Sequence, residues 1–178
     1  MTGVQTCALP IFQSDAAAAI KQAGGSLLYD RQMNHDEPRW PRWLGDFIGV
    51  DHYEHIVVVN VRSYDAMLVH VGQLDRLERL SLDGSMVSDS GLMHLQGLTR
   101  LRWLNLRDTK LGDAGVNHLR RLTELRRLDL RRTSVSDAGL VRLKGLVNLE
   151  DLDIGGTLVT DAGVQELRRA LPKLKISR

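Results

Sequence analysis

Aspartates recur at Asp89, Asp113, Asp137 and Asp161, and histidines at His70, His94 and His118, each set stepping by 24 residues. A column of carboxylates suits a cation ladder, and a column of imidazoles suits a transition-metal site. His52 and His55 also stand close together, but no third ligand follows at a workable spacing. The single cysteine, Cys7, offers one thiol and no internal disulfide. Gly24-Gly25 and Gly155-Gly156 lack the further glycines of a phosphate cradle, and no G-x-S-x-G, phosphate-loop, dinucleotide or H-E-x-x-H pattern occurs. Trp103, with Arg79 and Arg127 one step to either side, brings together residue types enriched at binding hot spots.

What these residues can do depends on the elements that carry them. Leu74, Leu98, Leu122 and Leu146 share the 24-residue step. Leu77, Leu101, Leu125 and Leu149 keep it, as do Leu80, Leu104, Leu128 and Leu152, then Leu82, Leu106, Leu130 and Ile154. A second block, SDSGL, GDAGV, SDAGL and TDAGV, begins at 88, 112, 136 and 160. Each copy alternates period 2 with period 3.6. The step Leu104-Asn105-Leu106 reads as a short strand with both leucines facing inward. The block after it reads as a helix of about two turns, with Leu140, Leu143 and Leu146 on one face. Ser88, Ser136 and Thr160 stand at the expected N-caps, with Asp at the first helical position. The glycines at 91, 115, 139 and 163 each cost a helix about 1 kcal/mol against alanine, and close approach of the neighbouring copy is the expected compensation.

One such unit cannot bury its own leucines, whereas stacked units bury them as a continuous ridge. The expected class is α/β: a right-handed solenoid with parallel strands on the concave face and short helices on the convex face. Residues 50–178 form it, with a divergent first repeat at 50–73, four repeats over 74–170 and a terminal half repeat at 171–178. The first repeat rests on Asp65, Leu68, His70 and Val71, which match Asp89, Leu92, His94 and Leu95; Ile56 and Val58 then take strand positions. At the far end the leucine step is 25, with Ala170 as the extra residue.

That geometry decides between the candidates. On the helical side adjacent copies lie about 8–10 Å apart, too far to share an ion with ligands at about 2.0–2.6 Å. The aspartates are then read as first-turn carboxylates that favour the helix dipole. The histidines are read as solvent-exposed helix positions, and their column continues as Arg142 and Glu166, which are no ligand set. No metal, cofactor or catalytic residue is expected. Side chains between the strand leucines must point away from the core. They form three columns: Arg79, Trp103, Arg127 and Asp151; Ser81, Asn105, Asp129 and Asp153; Asp83, Arg107, Arg131 and Gly155. The expected partner-binding face comprises Arg79, Ser81, Trp103, Asn105, Arg107, Arg127, Asp129, Arg131, Asp151 and Asp153. The same columns also make sense within the molecule, as cross-strand ion pairs with arginine stacked over Trp103.

The copies approach LxxLxxLxLxxTxVTDAGLxxLxGL, a form that resembles the bacterial leucine-rich repeats of planctomycete-type proteins, some of them internalin-like. The resemblance covers about residues 50–178. It implies a scaffold that binds a protein partner, and it implies that Ser85, Thr109, Thr133 and Thr157 bond backbone groups of the turn. Residues 12–49 resemble the segment that precedes the repeats in such proteins. It has a helix at Ala16–Ile20, a GG-S-x-x-Y-D strand at Gly24–Asp30 and a Pro/Trp stretch from Pro38 to Phe47. Trp40 or Trp43 is expected to cover the open end of the leucine core. Many relatives carry a membrane segment ahead of this helix.

Residues 1–11, MTGVQTCALPI, resemble a translated sequencing adapter and are set aside. Cys7 goes with them, and the native product is expected to extend upstream, cytoplasmic or membrane-anchored through that missing part. The chain has 178 residues, 43% hydrophobic and only 4% aromatic, so leucine carries the burial. A net charge of +2 is too mild to call for nucleic acid, and no run of about 18 apolar residues is present to span a membrane. The expectation is a monomeric, non-catalytic scaffold that binds protein. A structural or regulatory part of a larger protein, or an anionic-polymer binder using the concave arginines, are the alternatives.

Overall fold

The computed structural model describes residues 18–22, 26–29, 56–60 and 65–178. The adapter-like stretch, the Pro/Trp segment with Trp40 and Trp43, and His52 and His55 lie outside the described residues. Residues 18–22 are helical. Seven strands follow one another in space in chain order: β1 (Ser26–Tyr29), β2 (Ile56–Asn60), β3 (Arg79–Ser81), β4 (Trp103–Asn105), β5 (Arg127–Asp129), β6 (Asp151–Asp153) and β7 (Lys175–Ser177). β1 runs antiparallel to β2, and every later pairing is parallel. From β3 to β7 the register is the sequence step itself, since Leu80, Leu104, Leu128, Leu152 and Ile176 lie opposite one another in turn. β2 departs from it: Val59 lies opposite Leu80 and Val58 opposite Arg79, a shorter step, so Ile56 and Val58 do not take the leucine positions expected of them. This is the expected α/β solenoid.

Strands of three residues cannot hold a sheet alone, and the leucine ridge behind them supplies the stability. Leu74, Leu77, Leu80 and Leu82, with their counterparts down to Leu130, are almost fully buried. Burying each side chain is worth about 1.5–3 kcal/mol. Burial loosens slightly at the last coil, where Val159 and Leu171 each keep 7% of their surface. The half repeat that ends in β7 covers the ridge there with fewer side chains.

The outer segments differ from the expected two-turn helices. Gly91–Gly97 is 3₁₀ throughout. Asp113–Val116 and Asp137–Arg142 begin as α-helix and tighten into 3₁₀ at Asn117–Arg121 and Leu143–Gly145. The leucine spacing explains this. Leu92, Leu95, Leu98 and Leu101 keep a strict period of three, which stays on one face only at three residues per turn. Asp65–Val71 is continuous α-helix, and so is the longer Asp161–Ala170. There the step from Leu167 to Leu171 is four, because Ala170 is inserted, and the Leu171 amide donates to the Leu167 carbonyl at 2.8 Å.

The turn hydroxyls do what the resemblance implied. Ser85, Thr109, Thr133 and Thr157 donate to the carbonyls of Leu82, Leu106, Leu130 and Ile154 at 2.6–2.7 Å. Ser85, Thr109 and Thr133 are buried, so these bonds satisfy carbonyls that water does not reach.

Candidate interaction face

Asp113, Asp137 and Asp161 lie in the first turn of their helices as expected, whereas Asp89 precedes its 3₁₀ segment; the column also has a second job. Asp113 accepts from the amide and hydroxyl of Ser136 in the next coil, at 2.8 and 2.6 Å. Asp137 holds Thr160 in the same way at 2.8 and 2.6 Å, and Asp65 holds Ser88. Asp89 accepts from the amide of Gly112, which has no hydroxyl to add. These carboxylates tie one coil to the next rather than answering only their own helix dipoles. Ser136 and Thr160 then accept from Ala138 and Gly163 amides, so each is an N-cap held in place by the preceding coil. Ser88 departs from expectation: the cap position of Gly91–Gly97 is Ser90, and the Ser88 hydroxyl is committed to Asp65. The glycine column is explained by the same contact. A Cβ at Gly91, Gly115, Gly139 or Gly163 would collide with the carboxylate of Asp65, Asp89, Asp113 or Asp137.

Two of these carboxyls are held below the ordinary aspartate range. Burial alone would raise Asp65, but hydrogen bonds from the hydroxyl and amide of Ser88, then Ser90, and the charge of His94 outweigh it. Asp137 is lowered by the hydroxyl and amide of Thr160, against a small opposing effect of burial.

His70, His94 and His118 are half-buried, not fully solvent-exposed as expected. Packing of adjacent coils covers them in part, and the Nδ1 of His118 lies 2.6 Å from the Nε2 of Gln96. Among the described residues, no group of three or more His, Cys, Asp or Glu is placed to hold a metal ion.

The strand columns lie where the spacing put them. Leu104 is buried between Trp103 and Asn105, which are both half-exposed, so the Trp103 indole is on the sheet surface and not in the core. Opposite Trp103 are Arg79 and Arg127. The Arg79 guanidinium sits 5.3 Å from the centre of the Trp103 ring, while Arg127 turns to Asp151 at 3.2 Å. Arg131 reaches both Asp129, at 2.5 Å, and Asp153, at 3.3 Å. The Asp129 hydrogen bonds, followed by its charge, raise the Arg131 pKa above its usual value.

Asn105, Asp129 and Asp153 also have local work. Their side-chain oxygens accept from the amides of Arg107, Arg131 and Gly155 at 3.0–3.1 Å, closing turns at the strand ends. Ser81 is half-exposed at the head of that column. Arg107 makes a long pair with Asp108 at 3.7 Å.

Two features escaped the sequence reading. Glu78, Arg102, Arg126 and Glu150 form a flank of exposed pairs, with Arg102 near Glu78 and Glu124 and Arg126 near Glu150, at 3.1–3.6 Å. A fourth column, Gly84, Asp108, Arg132 and Gly156, turns the chain with positive φ, from 52 to 72°. Glycine at two of its four positions was the available signal.

No family model matches the sequence, and no curated protein matches it. Solved structures share the fold. An internalin of Listeria monocytogenes is 24% identical, with a TM-score of 0.54 over 62% of this chain and 30% of that one. A leucine-rich-repeat protein of Leptospira interrogans is 24% identical, with a TM-score of 0.50 over 62% of this chain and 27% of that one. The leucine-rich-repeat ectodomain of an Arabidopsis thaliana receptor kinase is 16% identical, with a TM-score of 0.55 over 94% of this chain and 91% of that one. The chain thus spans less than a third of the two bacterial proteins. Its fold is the leucine-rich-repeat solenoid.

Proposed function

We propose that this chain is a non-catalytic scaffold that binds a protein partner on the concave sheet, with Trp103 as anchor. The observation that carries the reading is the place of the indole. It sits on the fourth of seven consecutive strands, half-exposed, with Arg79 above it. A half-covered tryptophan on a sheet face still has apolar area to bury, and arginine stacked on it is easily re-aimed. Arg79, Arg127 and Asp151 form the rest of the first column. Asn105, Asp129, Asp153 and Arg131 supply polar edges whose geometry is already fixed by turns and pairs, with Ser81 and the loosely paired Arg107 beside them. A face so organised loses little side-chain entropy on binding. The ion pairs are exposed and worth about 0–1 kcal/mol each, so a partner's charges exchange with them at small cost.

Nucleic acid is disfavoured because the arginines alternate with paired aspartates. Among the described residues no helix is long and apolar enough to cross a membrane.

The test is affinity capture with the parent and with Trp103→Ala, followed by titration of the purified partner. Loss of about 2 kcal/mol, roughly 30-fold in affinity, with an unchanged circular dichroism spectrum is expected. Equal affinity of both proteins would remove Trp103 as the anchor. Capture that collapses between about 50 and 200 mM salt would favour an anionic polymer instead.

A further inference from the structure

We propose that a depression at the turn end of the last coils, bordering the concave protein-binding face and sharing Arg107, Arg131 and Asp153 with it, is a site for one phosphate group. It encloses about 290 Å³, at the small end of the roughly 300–1,000 Å³ usual for ligand clefts, so it suits a single phosphoryl head rather than a nucleotide. Its charged walls are Arg107, Arg131, Arg132 and Arg178, against the carboxylate of Asp153 and the backbone carboxyl of Arg178 beside Gly155. Gly155 and Gly156 complete it. They stand where the preceding coil has Arg131 and Arg132, so the space an arginine pair fills there is left open here. A side chain at Gly155 would press on the Arg178 backbone at 3.4 Å and on the Arg131 stem at 3.5 Å.

The arginines are not equally committed. Arg131 is clamped between Asp129 and Asp153 and acts as a rigid wall. Arg178 is held by Asp161 and by the Val159 carbonyl. Arg107 and Arg132 instead share one carboxylate, Asp108, at 3.7 and 3.4 Å, and all three side chains are about a third or more exposed. One weakly held carboxylate between two guanidiniums is readily displaced by a dianion, which offers each of them a charge-assisted fork. Arg132 also adopts φ 53°, a left-handed conformation that costs a bulky side chain energy and that glycine takes freely at Gly84 and Gly156. Strain of this kind gathers at ligand sites.

The test is calorimetric titration at low ionic strength with inorganic phosphate, and with a short phosphoserine peptide and its unphosphorylated twin. Saturable binding of one phosphate per chain is expected. Arg132→Gly removes a guanidinium and relieves the left-handed strain. It should weaken binding at least tenfold while melting no lower than the parent. Arg120→Ala, an exposed arginine on the outer segment Asn117–Arg121, should change affinity less than twofold. A phosphopeptide that binds more tightly than inorganic phosphate places the phosphate on a polypeptide, and equal affinities place it on a free anion. No saturable binding overturns the proposal, as do equal losses in both variants or acetate binding as tightly as phosphate. Trp103 does not line the depression, so Trp103→Ala should leave phosphate binding intact, separating this site from the Trp103 anchor.

Discussion

Gly139→Ala tests whether the aspartate column is an architectural tie. Alanine inside a helix is favoured over glycine by about 1 kcal/mol, so propensity alone predicts stabilisation. The structure predicts the reverse. The new Cβ would fall on the Asp113 carboxylate and lie 2.8 Å from a Val135 methyl. Asp113 must then move and release Ser136, which it holds by two bonds at 2.8 and 2.6 Å. Hydrogen bonds to a charged group contribute about 1.5–3 kcal/mol each, and these half-exposed ones belong at the low end. The gross loss is about 3 kcal/mol, and after the helical gain about 2 kcal/mol of destabilisation remains. Asp113→Ala forfeits the same bonds but clears most of the clash, so adding Gly139→Ala to it should cost little. Urea unfolding of the four proteins in the cycle would read a coupling of about 2 kcal/mol. Additivity within about 0.5 kcal/mol would refute the reasoning, since the two positions would then act independently.

Two further outcomes follow from neighbouring contacts. Thr133→Val keeps the buried shape but strands the Leu130 carbonyl, which the hydroxyl reaches at 2.7 Å; a loss of about 1–3 kcal/mol is expected in urea unfolding. For acid, the carboxyls of Asp65 and Asp137 are lower in the folded state than in the unfolded chain. Their contribution is therefore present above the unfolded value, about 3.9, and lost as pH falls through the folded one. Thr160→Val removes the hydroxyl that lowers Asp137, so its stability should fall less steeply than the parent's between about pH 5 and pH 2. An identical slope would count against the assignment.

The leucine step alone made the strand register legible, because a 24-residue rhythm can superpose Leu80, Leu104, Leu128 and Leu152 only by stacking parallel strands. Gly91, Gly115, Gly139 and Gly163 were rightly read as places of close approach. What approaches them was not legible, since the contact joins residues in different coils. Asp113 and Ser136 are 23 apart in sequence, and a local reading pairs each with its own helix instead. The 3₁₀ segments were legible in principle, through the period of three from Leu92 to Leu101. A helical reading of the leucine pattern assumes 3.6 and passes over that period. The concave columns followed from strand alternation, but the pairings on them depend on which rotamer each arginine takes. Arg127 choosing Asp151 over Trp103 has no signal in the spacing.

The repeated positions are nearly all spoken for by the architecture. Leucines fill the ridge, Ser85 and the threonines close turns, aspartates tie coils, glycines make room for those aspartates, and Asn105, Asp129 and Asp153 end strands. A position whose backbone environment is the same in every coil, yet whose residue type changes from coil to coil, is under no such demand. Besides Asp83, Arg107, Arg131 and Gly155, two columns on the sheet side meet that description. One is Arg79, Trp103, Arg127, Asp151 and Lys175, which faces out along the sheet. The other is Gly84, Asp108, Arg132 and Gly156, where the same positive φ is met once by an arginine that gains nothing from it sterically. Both proposed sites fall on these columns. Freedom from the repeat's own requirements is the physical reason to look for recognition there, at Trp103 and at Arg132, rather than along the regular carboxylate and imidazole columns that first suggest chemistry.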